Sequence, residues 1–538
     1  MTKDEFKAIV DILGEENITV PKQFSYKLRT YLHNDELRTC LQNNYYKSDT
    51  TKKKESNVEN KLFALFVDDS INVRKARQEL GHYLKEKGMI LRKVINNPYI
   101  LDKKTNGYNS VDIDEIVIKL NKDIFFNQDL VHSTDVENAL GFISERKKPQ
   151  YNIVKFNNCL YDMTNFKVIS ANDEPVFTLI EVAHNYNPQA KGKMVKNFLE
   201  TSLPKLNDNP KPEEIKKLVQ GFLEMIGYLL TSGNKLNAFF ILSGIGGAGK
   251  GLSSHLIEEI FGSDKVGRLQ LQELKPDNRF ATAHLENKQV NIVSDSPKEP
   301  IEDTGMLKSI TGYDDIPVEP KGKDKYAIPK EEVPDMIVVC NNFPKFKDGI
   351  EESVVQRAVT FEFRNKYRGT EKENTNLLEE ILENPEEMEW LIYNGIEAYK
   401  KMITEGRDFT ARIDSEKARK LLGKHTNPIS YILPILVEFS DETITDTETI
   451  VASELNELIM YVAEDEGLAI DHIDTKGKIN ARHLASEIRA EFNLNNSWTT
   501  KLAKIEGYDN SVTIYPKLRK TEEYDGWLEK MNKNKPKK

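Results

Sequence analysis

Cysteine is nearly absent from this chain: three in 538 residues, Cys40, Cys159 and Cys340, far apart. That excludes a disulfide framework and a cysteine-built metal cluster. It fits small buried hydrophobes in a reducing cytoplasm, the compartment expected here. Histidine is scarce too, and the nine present show no ligand spacing. No apolar run approaches the roughly 20 residues that cross a bilayer, and the opening residues carry no signal-peptide core, so no membrane association is expected. A basic excess is also missing, since the net charge is -10. A surface coated uniformly by nucleic acid is therefore excluded, and any such contact must come from local basic patches. What remains is 38% hydrophobic and 30% charged, the balance of a globular chain with ample core. Its length suits about three or four domains.

The most informative stretch is residues 238–251, Ala-Phe-Phe-Ile-Leu-Ser-Gly-Ile-Gly-Gly-Ala-Gly-Lys-Gly. The apolar run 238–242 reads as a buried strand. Residues 244–250 have the phosphate-loop spacing of Gly, four residues, Gly and Lys. From Ser253 the pattern is helical, with a stop at Gly262. Strand, glycine loop and helix in that order are the context in which backbone N–H groups and a helix N-terminus hold phosphates. The expected ATP contacts are Gly244, Gly246, Gly247, Ala248, Gly249, Lys250, Gly251 and Leu252, with Lys250 reaching the β- and γ-phosphates. Gly251 stands where a hydroxyl residue usually binds Mg2+, so the metal is expected to keep a water there.

Further signals follow in order. Residues 288–295 end a strand on Asp295, where a carboxylate can hold Mg2+ through water and polarise the attacking water. Residues 316–319 and 326–328 can pair as a hairpin, with Lys321, Lys323 and Lys325 near its tip, suited to gripping DNA phosphates. The strand 336–340 is followed by Asn341, whose amide can orient water or touch the γ-phosphate. Arg357, between a helix and an alternating strand, is placed to act on a neighbouring subunit's ATP. Arg364 and Arg368 are weaker stand-ins, and a salt bridge is the ordinary role of all three.

These motifs together resemble superfamily III helicases, a ring-forming branch of the AAA+ ATPases. The resemblance extends over about residues 96–415 and rests on five motifs in one order. Gly251 departs from the family pattern, and so does Gln356, where relatives often carry paired arginines. Residues 152–162 and 185–188 resemble the collar domain that precedes the helicase module in poxvirus primase-helicases and in phage or plasmid replication proteins. The whole arrangement is similar to the replication initiator-helicases of staphylococcal pathogenicity islands. A primase reading of Asp68 and Asp69 is set aside as a solvated helix face.

The expected fold is multidomain α/β. It comprises a helical N-terminal domain at 1–95, an α+β collar at 96–209, an AAA+ P-loop core at 210–424 and a winged helix at 425–538. In the last, residues 480–492 and 495–505 read as two helices and 508–515 as the wing. Trp498, Leu502 and Ile505 would pack inward, while Thr499, Lys501 and Lys504 face a DNA groove and Lys517, Arg519 and Lys520 meet phosphates.

The resemblance implies a hexameric, ATP- and Mg2+-dependent replicative helicase. It would encircle single-stranded DNA, move 3′ to 5′, recognise origin DNA and possess host replication partners. The alternatives are an ATP-switched origin-binding initiator that recruits a separate helicase, or another AAA+ DNA motor.

Overall fold

The computed structural model describes residues 62, 73–92, 97–124, 129–143, 145–170, 174–275, 278–294, 299–320, 324–347, 349–442, 444–475 and 477–534. Most of the expected helical domain at 1–95, with Asp68 and Asp69, lies outside them, as do Asp295, Lys321 and Lys323. The fold is mixed α/β, and the chain divides into two compact units, residues 1–150 with 168–181 and residues 151–167 with 182–538.

The first unit holds a four-stranded sheet in the order β3-β2-β1-β4, built from β1 (Met89–Arg92), β2 (Pro98–Asp102), β3 (Gly107–Ser110) and β4 (Arg146–Lys147). The helices α1 (Val73–Glu86), α2 (Ile113–Asp123) and α3 (Ser133–Leu140) supply its core. Leu80, Leu84, Ile116, Leu120 and Val136 from the helices close over Met89 and Leu91. Asp112 caps α2 by accepting from the Asp114 N–H, which satisfies one of the orphan donors of the first turn.

The second unit opens with a short hairpin, β5 (Ile153–Lys155) and β6 (Leu160–Asp162), paired Ile153 to Asp162. The helices α4 (Lys193–Ser202) and α5 (Pro212–Leu229) follow. Asn185 and Asn187 each donate a side-chain amide, at 2.8 Å, to a different oxygen of the buried Glu389 carboxylate. This tight two-asparagine grip is the physical content of the 185–188 motif.

At the centre of this unit lies a five-stranded parallel sheet. Its strands in chain order are β7 (Phe239–Gly244), β8 (Val266–Gly267), β9 (Val290–Ser294), β12 (Asp335–Cys340) and β13 (Ala358–Phe363). In space the order is β8-β9-β12-β7-β13. β7, β12 and the first four residues of β9 are buried, as a parallel strand covered on both faces requires. The chain leaves β7 for the far edge of the sheet and comes back to β7's other side only with β13. That reversal puts a crevice at the carboxyl edge of β7.

Between β9 and β12 the chain forms α7 (Gly305–Ile310) and the hairpin β10 (Ile316–Val318) with β11 (Tyr326–Ile328), in register Ile316 to Ile328. After β13 come α9 (Leu377–Glu383), α10 (Pro385–Thr404) and α11 (Ser415–Thr426), with α8 (Glu352–Val355) just before it.

The remaining segment builds a separate core from α12 (Pro428–Leu436), α13 (Ala452–Asp465), α14 (Ala481–Glu491) and α15 (Glu522–Asn534). Its strands are β14 (Val437–Phe439), β15 (Thr449–Val451), β16 (Lys501–Ala503) and β17 (Val512–Lys520), with β17 central.

One local expectation fails here. Residues 495–505 are not a helix, because Lys501–Ala503 is a strand paired with residues 512–514. The Trp498 indole N–H donates to the Pro516 carbonyl at 2.9 Å, and its ring stacks on Tyr515. That anchor holds the segment extended beside β17. Trp498 and Ile505 are buried as expected, but Leu502 is 77% exposed.

Candidate functional site

A cleft of about 1200 Å³ opens at the carboxyl edge of β7. It is lined by Gly246, Gly247, Gly249, Lys250, Gly251 and Leu252, together with Asn341 from the end of β12. With Arg368, which also lines it, eight residues singled out in the sequence meet in one place, although Asn341 is about ninety positions from the loop.

The loop's glycines are required by geometry. Gly244 has φ 141°, and a Cβ there would lie 2.0 Å from the Phe363 carbonyl oxygen of the adjacent strand. Gly249 has φ 102° and caps α6 (Lys250–Phe261), where a Cβ would meet the Phe198 ring at 2.7 Å. A side chain at either place demands a shift of the loop, so the loop packs closely on β13 and α4 only with glycine there. α6 starts at Lys250, three residues earlier than the sequence pattern gave, and its N-terminal turn borders the cleft. Gly262, with φ 83°, ends it.

Lys250 is 7% exposed, and its ammonium donates to the carbonyls of Gly244 and Ile245, both at 2.7 Å. The cation therefore sits inside the loop's own curl. Ser253 is buried and its hydroxyl donates to the Gly249 carbonyl, so it faces away from the cleft. Ser254 lines the cleft, but its hydroxyl is spent on the Gly251 carbonyl at 2.9 Å. No atom comes within 4 Å of a Cβ built on Gly251. Ala248 is buried and does not line the cleft. The Cys340 thiol also lines it, pushed up to about 12 by burial, so it carries no thiolate chemistry near neutral pH.

Three features of the cleft escaped the sequence. α4 contributes Phe198, Thr201 and Ser202. The Ser202 hydroxyl is buried without a partner among the described residues. The stretch 367–377 forms a further wall, held by the Tyr367 hydroxyl on the Thr201 carbonyl (2.7 Å) and by the Asn365 amide on the Thr201 and Pro204 carbonyls. These contacts join residues some 160 positions apart, and no local pattern marks them.

Other expected site residues lie elsewhere. Arg357 is half-buried and donates to the Ser353 carbonyl at 2.7 Å, and it does not line its own chain's cleft. Lys325 pairs with Glu319 at 3.0 Å across the hairpin. Thr499, Lys501 and Lys504 are exposed on and beside β16, so they belong to a hairpin strand rather than a recognition helix. Lys517 is paired with Asp441 and Arg519 with Glu438, leaving those cations committed to neighbouring carboxylates.

Residues 242–357 match a family of unknown function, DUF5906. The match starts inside β7 and stops at Arg357, so it takes in the loop and Asn341. Among solved structures, the chain is similar to the apo structure of the NrS-1 C terminal region, at 16% identity and a TM-score of 0.40, covering 82% of this chain and 99% of that one. It is also similar to the A form apo structure of the same region, at 15% identity and a TM-score of 0.38, with the same coverage. Neither description names an activity. No curated protein matches.

Behind the cleft, one residue before Gly244, lies a buried charge cluster. His425 Nε2 is 3.1 Å from the Ser243 hydroxyl and 3.1 Å from Glu362 Oε1. Glu362 also meets Arg364 and, at 3.2 Å, Lys424, and Lys424 reaches Glu466 of the C-terminal segment at 2.8 Å. Lys205 completes the set on Asp465 at 2.7 Å. Burial alone would raise the Glu362 carboxyl. The His425 hydrogen bond and the Lys424 and Arg364 charges outweigh it and hold that carboxyl well below the usual range.

Proposed function

We propose that this chain is a superfamily III-type AAA+ ATPase: a replicative DNA helicase that recognises an origin and works as a hexameric ring on single-stranded DNA with 3′-to-5′ polarity. The observation that carries the reading is the convergence of the glycine loop, Lys250 and Asn341 on one cleft, at the edge of a parallel sheet where the strand order reverses.

ATP is the substrate this cleft fits. Close-approach glycines, a helix N-terminus and a buried ammonium suit a polyphosphate. Lys250 would exchange its loop carbonyls for phosphate oxygens, and Asn341 would orient the attacking water. Mg2+, when bound, would neutralise charge between the outer phosphates. No group of three metal-binding side chains occurs among the described residues, and Gly251 offers no hydroxyl. Asp295 would be the metal's carboxylate, holding it through water. Arg357 stands outside its own cleft, as an arginine acting on a neighbour's ATP must. The lysine hairpin of β10 and β11 would follow DNA phosphates in the ring's centre. The C-terminal segment would contact origin DNA as a winged helix, with Thr499, Lys501 and Lys504 reaching from the wing. No described helix is long and apolar enough to cross a membrane.

The deciding experiment is ATP-dependent separation of forked DNA, followed by subunit mixing. Lys250→Ala and Arg357→Ala chains are each expected to be inactive alone. Co-assembled, they should regain part of the ATPase activity, because a mixed interface can pair one intact loop with one intact arginine. No recovery in verified mixed rings would overturn action in trans. No unwinding by the wild-type chain, with ATP hydrolysis intact, would favour an ATP-switched initiator.

A further inference from the structure

The cleft contains a cation with no role in the reading above. Arg368 lines it, and its backbone is bonded to the phosphate-binding loop itself. The Tyr367 and Arg368 N–H groups both donate to the Gly247 carbonyl, at 3.0 and 3.3 Å. The approach is so close that a Cβ on Gly247 would lie 2.4 Å from the Arg368 Cβ. Gly247 itself has φ 80°, so the loop is shaped to receive this segment. Tyr367 and Asn365 pin the same segment to the end of α4. Arg368 thus springs from a backbone fixed against the loop, one residue from a tethered tyrosine.

Its side chain is exposed and has no partner among the described residues. The other arginine of the cleft, Arg268, is committed to Glu258 at 2.6 Å. Of the neighbouring carboxylates, Glu373 accepts from the Gly369 N–H and turns back into its own segment. A free exposed arginine is ordinarily only solvated surface. This one differs because the chain holds its root on the carbonyl of a loop whose N–H groups serve an anion. A planar guanidinium on a preorganised backbone binds phosphate oxygens in pairs, with little freedom lost.

We propose that Arg368 binds the polyphosphate of the nucleotide held by its own chain, acting in cis where Arg357 acts on a neighbour. The assignment rests on the ATPase reading and adds to it a second cation on the same side of the same subunit.

The test uses the full chain and a fluorescent ADP analogue, N-methylanthraniloyl-ADP, titrated below and above the protein concentration at which subunits assemble. The wild type, Lys250→Ala, Arg368→Ala, Arg368→Gln and Arg368→Lys are compared, with thermal unfolding as the control. Arg368→Ala and Arg368→Gln should raise Kd about tenfold, the loss expected for one charged hydrogen-bonded contact. Arg368→Lys should recover part of it, and the effect should be the same in monomer and assembly. Unchanged affinity in Arg368→Ala, or equal loss in Arg368→Lys and Arg368→Gln, overturns the assignment while leaving the ATPase reading intact. An effect seen only in the assembly also overturns it, since the contact would then be in trans. Failure of the wild type to bind the analogue at all would bring down the ATPase reading and this contact together.

Discussion

At the end of β7, Gly244 opens the glycine loop and its carbonyl accepts from Lys250, while Ser243, one residue earlier, is bonded to His425 within the buried charge cluster. The two regions share a strand and are both rich in charge, yet they spend it differently. In the cluster, Lys205, Arg364, Lys424 and His425 all have carboxylates within reach. In the cleft, Lys250 donates to its own loop's carbonyls, and Arg368 has no side-chain partner among the described residues. Charge that is fully paired inside a protein fixes one packing, and charge left without a counter-ion at a crevice is available to a ligand. Cationic residues alone do not distinguish the two cases; the inventory of partners does.

The comparison can be broken most severely from the buried side. Glu362→Ala removes the carboxylate shared by Arg364, Lys424 and His425, leaving Lys424 only Glu466, and should cost about 3–5 kcal/mol, the usual penalty for breaking a buried charge pair. Denaturant unfolding would register it, and a loss under 1 kcal/mol would mean that the cluster is dispensable. The same residue sets a pH dependence. Because the folded-state carboxyl lies below its unfolded value, its contribution is fully present above the ordinary carboxylate range and is lost as pH falls from that range toward the depressed folded value. Wild-type stability should therefore drop more steeply on acidification than that of Glu362→Gln.

A cut on the cleft side should behave in the opposite way. Lys250→Ala is expected to lower ATP turnover by about a hundredfold or more while leaving the unfolding midpoint nearly unchanged. A large fall in stability would show that the lysine holds the loop together as much as it serves a ligand.

The smallest effect sharpens the picture of the metal. Gly251→Ser has room for its side chain, and the new hydroxyl would stand where a magnesium ligand is usual. We expect the Mg2+ concentration for half-maximal hydrolysis to fall a few-fold, on the order of 1 kcal/mol. No change would argue that the metal is held without reference to this position.

The two lysine-bearing hairpins show how much of this was legible in the sequence. Strands β10 and β11 alternate and are separated by Pro-Lys-Gly-Lys, so period and turn chemistry agreed with the pairing found. Residues 495–505 carry Trp498, Leu502 and Ile505 at helical spacing, and that pattern misled. The indole bond to Pro516 and the ladder to β17 are non-local and override it. The glycine loop was readable because its residue types answer a steric demand seen at Gly244. The cleft's other wall was not, because Asn365 and Tyr367 act through backbone carbonyls of α4, and a carbonyl has no letter in the sequence.

The grip on Glu389 has a practical corollary. One asparagine amide meets each oxygen, and no cation pairs with the carboxylate among the described residues. Counter-ions weaken attraction between exposed opposite charges but have little purchase on a buried carboxylate held by neutral dipoles. High salt during purification should therefore leave the 185–188 strap seated on α10.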